Sequence, residues 1–226
     1  MADNGSIYID IAEVQTAEGR LYLFVAIDRT SKFTFVELHR KALRKTAADF
    51  LRHLVGAVPH RITIVLTDNG THFTTPGVGG SAAQLVADAL AKGEPVCAHA
   101  FEYDCATPGI EHRTTKPKHR WTNGQVERMN RTIKAATVKR FHYNDHDQLT
   151  CHLADFISAY NFARRLKTLK GLTPYEFICK CWTSEPERFT LNPLHQIPGL
   201  NNSARSADDG TFEALFEQRQ IARTLS

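Results

Sequence analysis

Along "SIYIDIAEV", Ser6 to Val14, apolar and polar positions alternate: Ile7, Ile9 and Ile11 fall on one face, Tyr8 and Asp10 on the other. That is the period of a strand. "RLYLFVAIDRTSKFTFVEL" predicts two more strands, Leu21 to Ile27 and Lys32 to Leu38, joined as a hairpin by Asp28-Arg29-Thr30-Ser31. The period then changes. Ala47, Phe50, Leu51, Leu54 and Val55 recur at helical spacing, with Thr46 as the expected N-cap and Asp49 three residues on. "RITIVLTD" returns to strand, and a strand after a helical crossover is expected to lie parallel to an earlier one.

Thr74 to Val96 opens as a loop, "TTPGVGGS", and continues as a short helix expected from Ser81 to Gly93. "GIEHR" offers a fifth strand, followed by the basic, proline-interrupted loop "TTKPKHRW". A long helix should begin at Thr122, with Gln125 in capping-box position and Val126, Met129, Ile133 and Ala136 as its apolar stripe. On a neighbouring face, Glu127, Asn130, Arg131 and Lys134 are spaced i, i+3, i+4 and i+7. Another helix carries Leu149, Leu153, Phe156, Ile157 and Tyr160 to about Ala163, and a last one starts with Thr173 capping and Pro174 in the first position. Beyond Pro198 periodicity is lost, and "NNSARSADDG" reads as a flexible link to a marginal terminal helix. The fold class is therefore α/β: a five-stranded mixed sheet with helices on both faces.

Composition narrows the function. The 226 residues, 42% hydrophobic and 23% charged, suit one ordinary domain, and no apolar run is long enough to cross a bilayer. No export signal precedes the first strand, so the expected location is cytoplasmic. The five cysteines, Cys97, Cys105, Cys151, Cys179 and Cys181, form no C-x-x-C pair and are expected as buried thiols. His39, His53, His99, His112 and His119 are scattered without zinc spacing, and surface or packing roles are expected. The net charge of +4 is mild but uneven: between Arg113 and Arg140 basic residues outnumber the single acid, Glu127, nine to one. A solvated helix face would explain a charge run alone; clustering around one acid points to a polyanion partner.

Three acids carry the candidate chemistry. Asp68 in "LTDNGTHF" could be a turn former, and Glu127 could pair with Arg131 one turn on. Asp10 is different: a carboxylate in mid-strand among isoleucines costs several kcal/mol to desolvate unless a cation or strong donors compensate it. Hard cations such as Mg²⁺ take oxygen ligands and keep positions open for phosphates. Were the strands of Asp10 and Asp68 neighbours, their carboxylates would converge at one edge of the sheet, with Glu127 supplied by a helix packed across it. Two ions about 3.5 to 4 Å apart would serve an in-line displacement at phosphorus.

"YIDIAEV", "YLFVAIDRTSKFTFVEL", "LTDNGTHF" and "KPKHRWTNGQVERMNRTIK" resemble the integrase catalytic core of DDE transposases, the bacterial insertion-sequence enzymes akin to retroviral integrases. The resemblance runs from about Ser6 to Trp182. It implies a ribonuclease H-like fold over residues 1–182, with an inserted loop and helix around 76–96 and a partly flexible extension from 183 to 226. It also implies Asp10, Asp68 and Glu127 as the catalytic triad binding Mg²⁺ or Mn²⁺, two ions in all. DNA contacts are then expected from Lys116, Lys118, Arg120, Asn123, Gln125, Arg131 and Lys134. The implied activity is metal-dependent strand cleavage and strand transfer on element ends and a target duplex, by a homo-oligomer at the bacterial nucleoid. A hydrolytic nuclease of the same fold and a non-catalytic DNA-binding remnant are the alternatives. Two features depart from the family pattern. The interval from Asp68 to Glu127 is longer than many members show; insertions of this kind cost little in closure entropy. Related transposases also carry a helix-turn-helix module before the core, whereas this chain enters its first strand almost at once, leaving recognition of particular ends without an assigned module.

Overall fold

The computed structural model describes residues 5–75, 86, 88, 89, 91, 92, 99–115 and 124–195. Its sheet is built around the first strand. β1 (Ser6–Thr16) pairs antiparallel with β2 (Gly19–Asp28), which pairs antiparallel with β3 (Thr34–His39). The helix α1 (Arg44–Ala57) then crosses over to β4 (Ile64–Thr67), parallel to β1 on its other side. A short helix α2 (Ala100–Ala106) leads to β5 (Glu111–Thr114), parallel to β4, giving the order β3-β2-β1-β4-β5. Three helices follow: α3 (Gly124–Ala136), α4 (His146–Phe162) and α5 (Pro174–Ser184). The expected mixed five-stranded sheet is present.

Strand alternation sorts the core into two layers. Ile7, Ile9, Phe24, Ala26, Phe35 and Val65 face a cluster with Phe50, Leu51 and Leu54 of α1, Phe101 and Cys105 of α2, and Ile178 of α5. Val14, Leu23, Val25 and Val36 face the other way, against Val126, Met129 and Ile133 of α3 and Leu149, Leu153 and Ile157 of α4. Both faces of the sheet are thus covered, and β1 and β2 lie beneath helices on each side. No helix among the described residues is long and apolar enough to cross a membrane.

Several local expectations change. Helix α1 begins at Arg44, before Thr46: Leu43 is its N-cap without a side-chain bond, the Ala47 amide donates to the Leu43 carbonyl at 3.0 Å, and Asp49 pairs with Arg52. Burial of Ala47 and Ala48, rather than a capping side chain, fixes this end. Val55 is 38% exposed, off the buried stripe. Strand β3 starts at Thr34 because the turn is longer than expected, running through Phe33: Lys32 takes a left-handed conformation (φ 64°) and its amide bonds back to the Asp28 carbonyl at 3.0 Å. Helix α2 had no counterpart in the pattern, since its seven residues show only Phe101 and Cys105 at helical spacing. Of the described cysteines only Cys105 is buried; Cys151, Cys179 and Cys181 are partly exposed, Cys179 at the border of the core. The loop and helix expected over 76–96 lie almost wholly outside the described residues, as do Cys97, the Thr122 cap and everything after 195.

The segment after Trp182 returns to the core. His60 and Phe189 form a β-bridge, the Arg61 amide donates to the Arg188 carbonyl at 2.9 Å, and the Tyr175 hydroxyl donates to the Pro193 carbonyl at 2.5 Å. Helix α4 is tied to the start of β3 by one side chain. Fully buried Asn161 accepts from the Thr34 amide at 2.9 Å and donates to the Thr34 carbonyl at 2.7 Å. Replacing it by Leu removes both bonds and leaves two buried backbone groups unpaired, which costs about 1–3 kcal/mol for each. Asn161→Leu is therefore expected to lower the stability from urea unfolding by about 2 kcal/mol or more; an unchanged midpoint would contradict this reading of the tie.

Candidate active site

Register decides where the acids meet. In the parallel pair, Tyr8 of β1 stands opposite Leu66 of β4, so the next residues on that face are Asp10 and Asp68, carried two steps further along each chain. Asp10 lies opposite Val25 of β2, whose side chain is in the layer under α3 and α4. The strands that carry the two acids lie at the centre of the sheet, because β1 is the middle strand and β4 its neighbour. β4 ends at Thr67, leaving Asp68 at the mouth of this junction, where ligands bind in open sheets with parallel strands.

Helix α3 crosses the same face. Asn130 donates through Nδ2 to Asp10 Oδ2 at 2.7 Å, and the Ile11 amide donates to Asp10 Oδ1 at 3.0 Å. Glu127 is one helical turn before Asn130. Burial raises the Asp10 carboxyl above its ordinary value, and the negative charges of Asp68 and then Glu127 add to the rise, against the lowering effect of the Ile11 and Asn130 donors. Asp68 and Glu127 thus both act electrostatically on Asp10. Glu127 forms no ion pair with Arg131 among the described residues.

Asp68 is both turn residue and candidate ligand. Its Oδ1 accepts from the Gly70 amide at 2.9 Å, and a Cβ on residue 70 would stand 2.8 Å from that oxygen, so a larger residue there would push the carboxylate aside. Asn69 Nδ2 donates to the Thr115 carbonyl at 2.8 Å, pinning this loop to the end of β5. Beneath it lies a buried polar chain that the sequence did not announce. The Thr67 hydroxyl donates to the Asp68 carbonyl at 2.8 Å and meets His112 Nε2 at 2.9 Å. The hydroxyl has one proton, so Nε2 is the donor to it and Nδ1 carries a lone pair. Burial, with a contribution from His99, pushes the His112 pKa down to about 4, which keeps the ring neutral. Beyond it, buried Glu102 accepts from the Thr74 hydroxyl at 3.0 Å, and His99 Nε2 meets the Thr71 carbonyl at 3.1 Å. Thr67, His112, Glu102 and His99 thus hold the segment from Asp68 to Thr74 at both ends.

Of the residues expected to contact DNA, Arg131 is exposed and Lys134 half-buried on α3. Gln125 Nε2 donates to the carbonyls of Asp28 (3.3 Å) and Arg29 (3.5 Å), a structural role in addition to any contact. Lys116, Lys118, Arg120 and Asn123 lie outside the described residues, as does His119. Asn130 is the residue the sequence reading passed over; its only signal was a polar side chain three positions after Glu127, on Glu127's own face.

Two family profiles, each described as the integrase core domain, match the chain at residues 2–120 and 108–174. The chain belongs to the integrase core domain family. Solved integrase cores share its ribonuclease H-like fold. The integrase catalytic core domain of HTLV-2, solved in complex with magnesium, is 18% identical with a TM-score of 0.55, covering 77% of this chain and 95% of that one. The BIV integrase core is 18% identical with a TM-score of 0.54, over 80% of this chain and 98% of that one. An intasome of simian T-cell lymphotropic virus, in complex with a PP2A regulatory subunit, gives 20% identity and a TM-score of 0.59, over 77% of this chain and 54% of that one. Among proteins compared by sequence, an uncharacterized protein of Caenorhabditis elegans is 28% identical over 118 residues, which make up 52% of this chain and 7% of that protein.

The donor chemistry suits a hard divalent cation. Oxygen ligands from carboxylates are the preferred set for Mg²⁺, Asp10 carries unfavourable negative surroundings that a cation would relieve, and buried Asn130 Oδ1 beside it has no hydrogen-bond partner. Among the described residues, no three His, Cys, Asp or Glu side chains stand close enough together to hold an ion without adjustment. Asn130 is the donor that offsets part of this charge. In metal-free protein, Asn130→Ala should move the Asp10 titration, followed by carboxyl ¹³C shifts, further upward. A midpoint that stays in place or falls would remove Asn130 from control of this carboxylate.

Proposed function

We propose that this integrase core catalyses metal-dependent DNA strand cleavage and strand transfer, with Asp10, Asp68 and Glu127 as the ligands of its divalent ions. The observation that carries the reading is the charge on Asp10: a carboxylate in the central strand, raised by its burial and by two further acids reaching it from β4 and α3. Such a concentration of negative charge opposes folding unless something compensates it. Bound Mg²⁺ or Mn²⁺ would supply Lewis acidity toward a phosphodiester and its attacking oxygen.

The chain's own residues have distinct tasks in this reading. Asn130 and the Ile11 amide orient the two oxygens of Asp10, and Gly70 with the Thr67–His112 pair sets the direction of Asp68. Arg131 and Lys134, on the helix that carries Glu127, would contact DNA phosphates, and Lys116, Lys118, Arg120 and Asn123 are further proposed DNA contacts. Work on paired DNA ends would call for more than one copy of the chain.

A labelled duplex incubated with purified protein and Mg²⁺ or Mn²⁺ should give cleaved product, and a supplied 3′-hydroxyl end should be joined to a second duplex. Asp68→Asn should reduce both to background while leaving the circular dichroism spectrum unchanged. Cleavage without joining would favour a hydrolytic nuclease, and DNA binding without metal-dependent turnover would favour a binding remnant. Full activity in Asp68→Asn would take Asp68 out of the chemistry.

A further inference from the structure

The turn between β2 and β3 carries two cations, Arg29 and Lys32, and its one acid is spent inward. Asp28, 3% exposed, accepts through Oδ1 from the amides of Thr30 (2.6 Å) and Ser31 (2.7 Å), and its Oδ2 meets His60 Nε2 at 2.9 Å. A carboxylate so committed cannot fold back over the turn's outer surface. Lys32, held in the left-handed conformation, donates from Nζ to the Arg29 carbonyl, which keeps its ammonium against the turn.

Helix α3 brings a third cation to the same place. The two bonds from Gln125 Nε2 to the carbonyls of Asp28 and Arg29 press the first turn of α3 against the hairpin, and Arg128 follows Gln125 by three residues. The ammonium of Lys32 registers the crowding: burial lowers its pKa, Asp28 opposes this, and Arg29 and Arg128 lower it further. Some surface arginines stand against acids, Arg20 against Glu13 and Arg52 against Asp49 and Asp104. Arg29 and Arg128 are exposed and form no ion pair among the described residues. Three like charges from segments nearly a hundred residues apart are thus gathered by specific hydrogen bonds, two of them without an ion pair, and such a cluster attracts a polyanion.

We propose that Arg29, Lys32 and Arg128 form a phosphate-contact site for duplex DNA, built by the clamp of Gln125 on the β2–β3 turn and lying next to Glu127. The inference rests on the strand-transfer reading, since it seats the same DNA on a second surface beside the same helix. Only Arg128 belongs to the basic run of the sequence; Arg29 and Lys32 lie far from that run, on what looks like an ordinary hairpin turn.

Binding of a fluorescein-labelled duplex, measured by anisotropy in EDTA over a series of NaCl concentrations, tests it without any cleavage. Arg29→Gln combined with Arg128→Gln should make the plot of log affinity against log salt shallower by about two, close to one unit for each lost phosphate contact. A control with the same change in net charge, Arg20→Gln with Arg52→Gln, should keep the wild-type slope. A slope unchanged in the first double variant, or reduced equally in the control, overturns the site. Were the wild type to join strands while the Arg29/Arg128 variant kept its slope, only this site would fall; wild-type protein that neither binds DNA nor joins strands would remove the strand-transfer reading as well.

Discussion

The parallel pairing of β1 with β4 is the constraint on which the candidate site depends. Its three registered pairs, from Ser6 with Ile64 to Tyr8 with Leu66, fix which face each later side chain takes. A slip of one residue in either strand would turn Asp10 or Asp68 toward the layer of α1 and α5, because side-chain direction alternates with a period of two. The slip is opposed by the core itself. Ile7, Ile9 and Val65 fill one layer while Tyr8 borders the other, so the wrong register would expose apolar surface and bury two carboxylates without partners. The hydrophobic pattern that specifies the sheet is also what aims the acids.

Helix α3 completes the arrangement by doing two tasks with one surface. Val126, Met129 and Ile133 anchor it in the layer against β2, while the flank of the same stripe presents Glu127 and Asn130 to β1. Because Gln125 holds its first turn to the β2–β3 hairpin, the helix is located by its N-terminal end as well as by its apolar stripe. Asp68 is located from the opposite direction, by the Thr67–His112 pair beneath its loop and by the bond from Thr74 to Glu102 at the loop's far end. An active site of this kind has rigid support on both sides and its negative charge in the middle, the pattern expected where a cation is needed to balance the charge.

Much of this was legible in the residues. Alternation in β1 separated Ile7 and Ile9 from Asp10, and the change of period after Leu38 announced a crossover and hence a parallel strand. The capping of α5 by Thr173 is present as expected, and the structure adds Glu176 as the second half of a capping box. What escaped were features that arise only when distant segments meet. Asn130 looks like a surface residue until β1 lies beneath it. His112 looks like a scattered histidine until Thr67 is its neighbour across the β4–β5 pair, where burial rather than local sequence decides its protonation. The start of α1 escaped for the opposite reason: Thr46 offered a good local cap, and packing of Ala47 and Ala48 prevailed over it. The position of the site at the sheet's centre required strand order, which local periodicity does not contain.

The central claim is that Asp10 and Asp68 share a divalent cation. Crystals grown with Mn²⁺ and measured at a wavelength where manganese scatters anomalously test it most directly. An anomalous peak within bonding distance of carboxylate oxygens from both Asp10 and Asp68, and its loss in Asp10→Asn, is the predicted result. A fully loaded crystal in which manganese binds elsewhere and touches neither side chain would contradict the account.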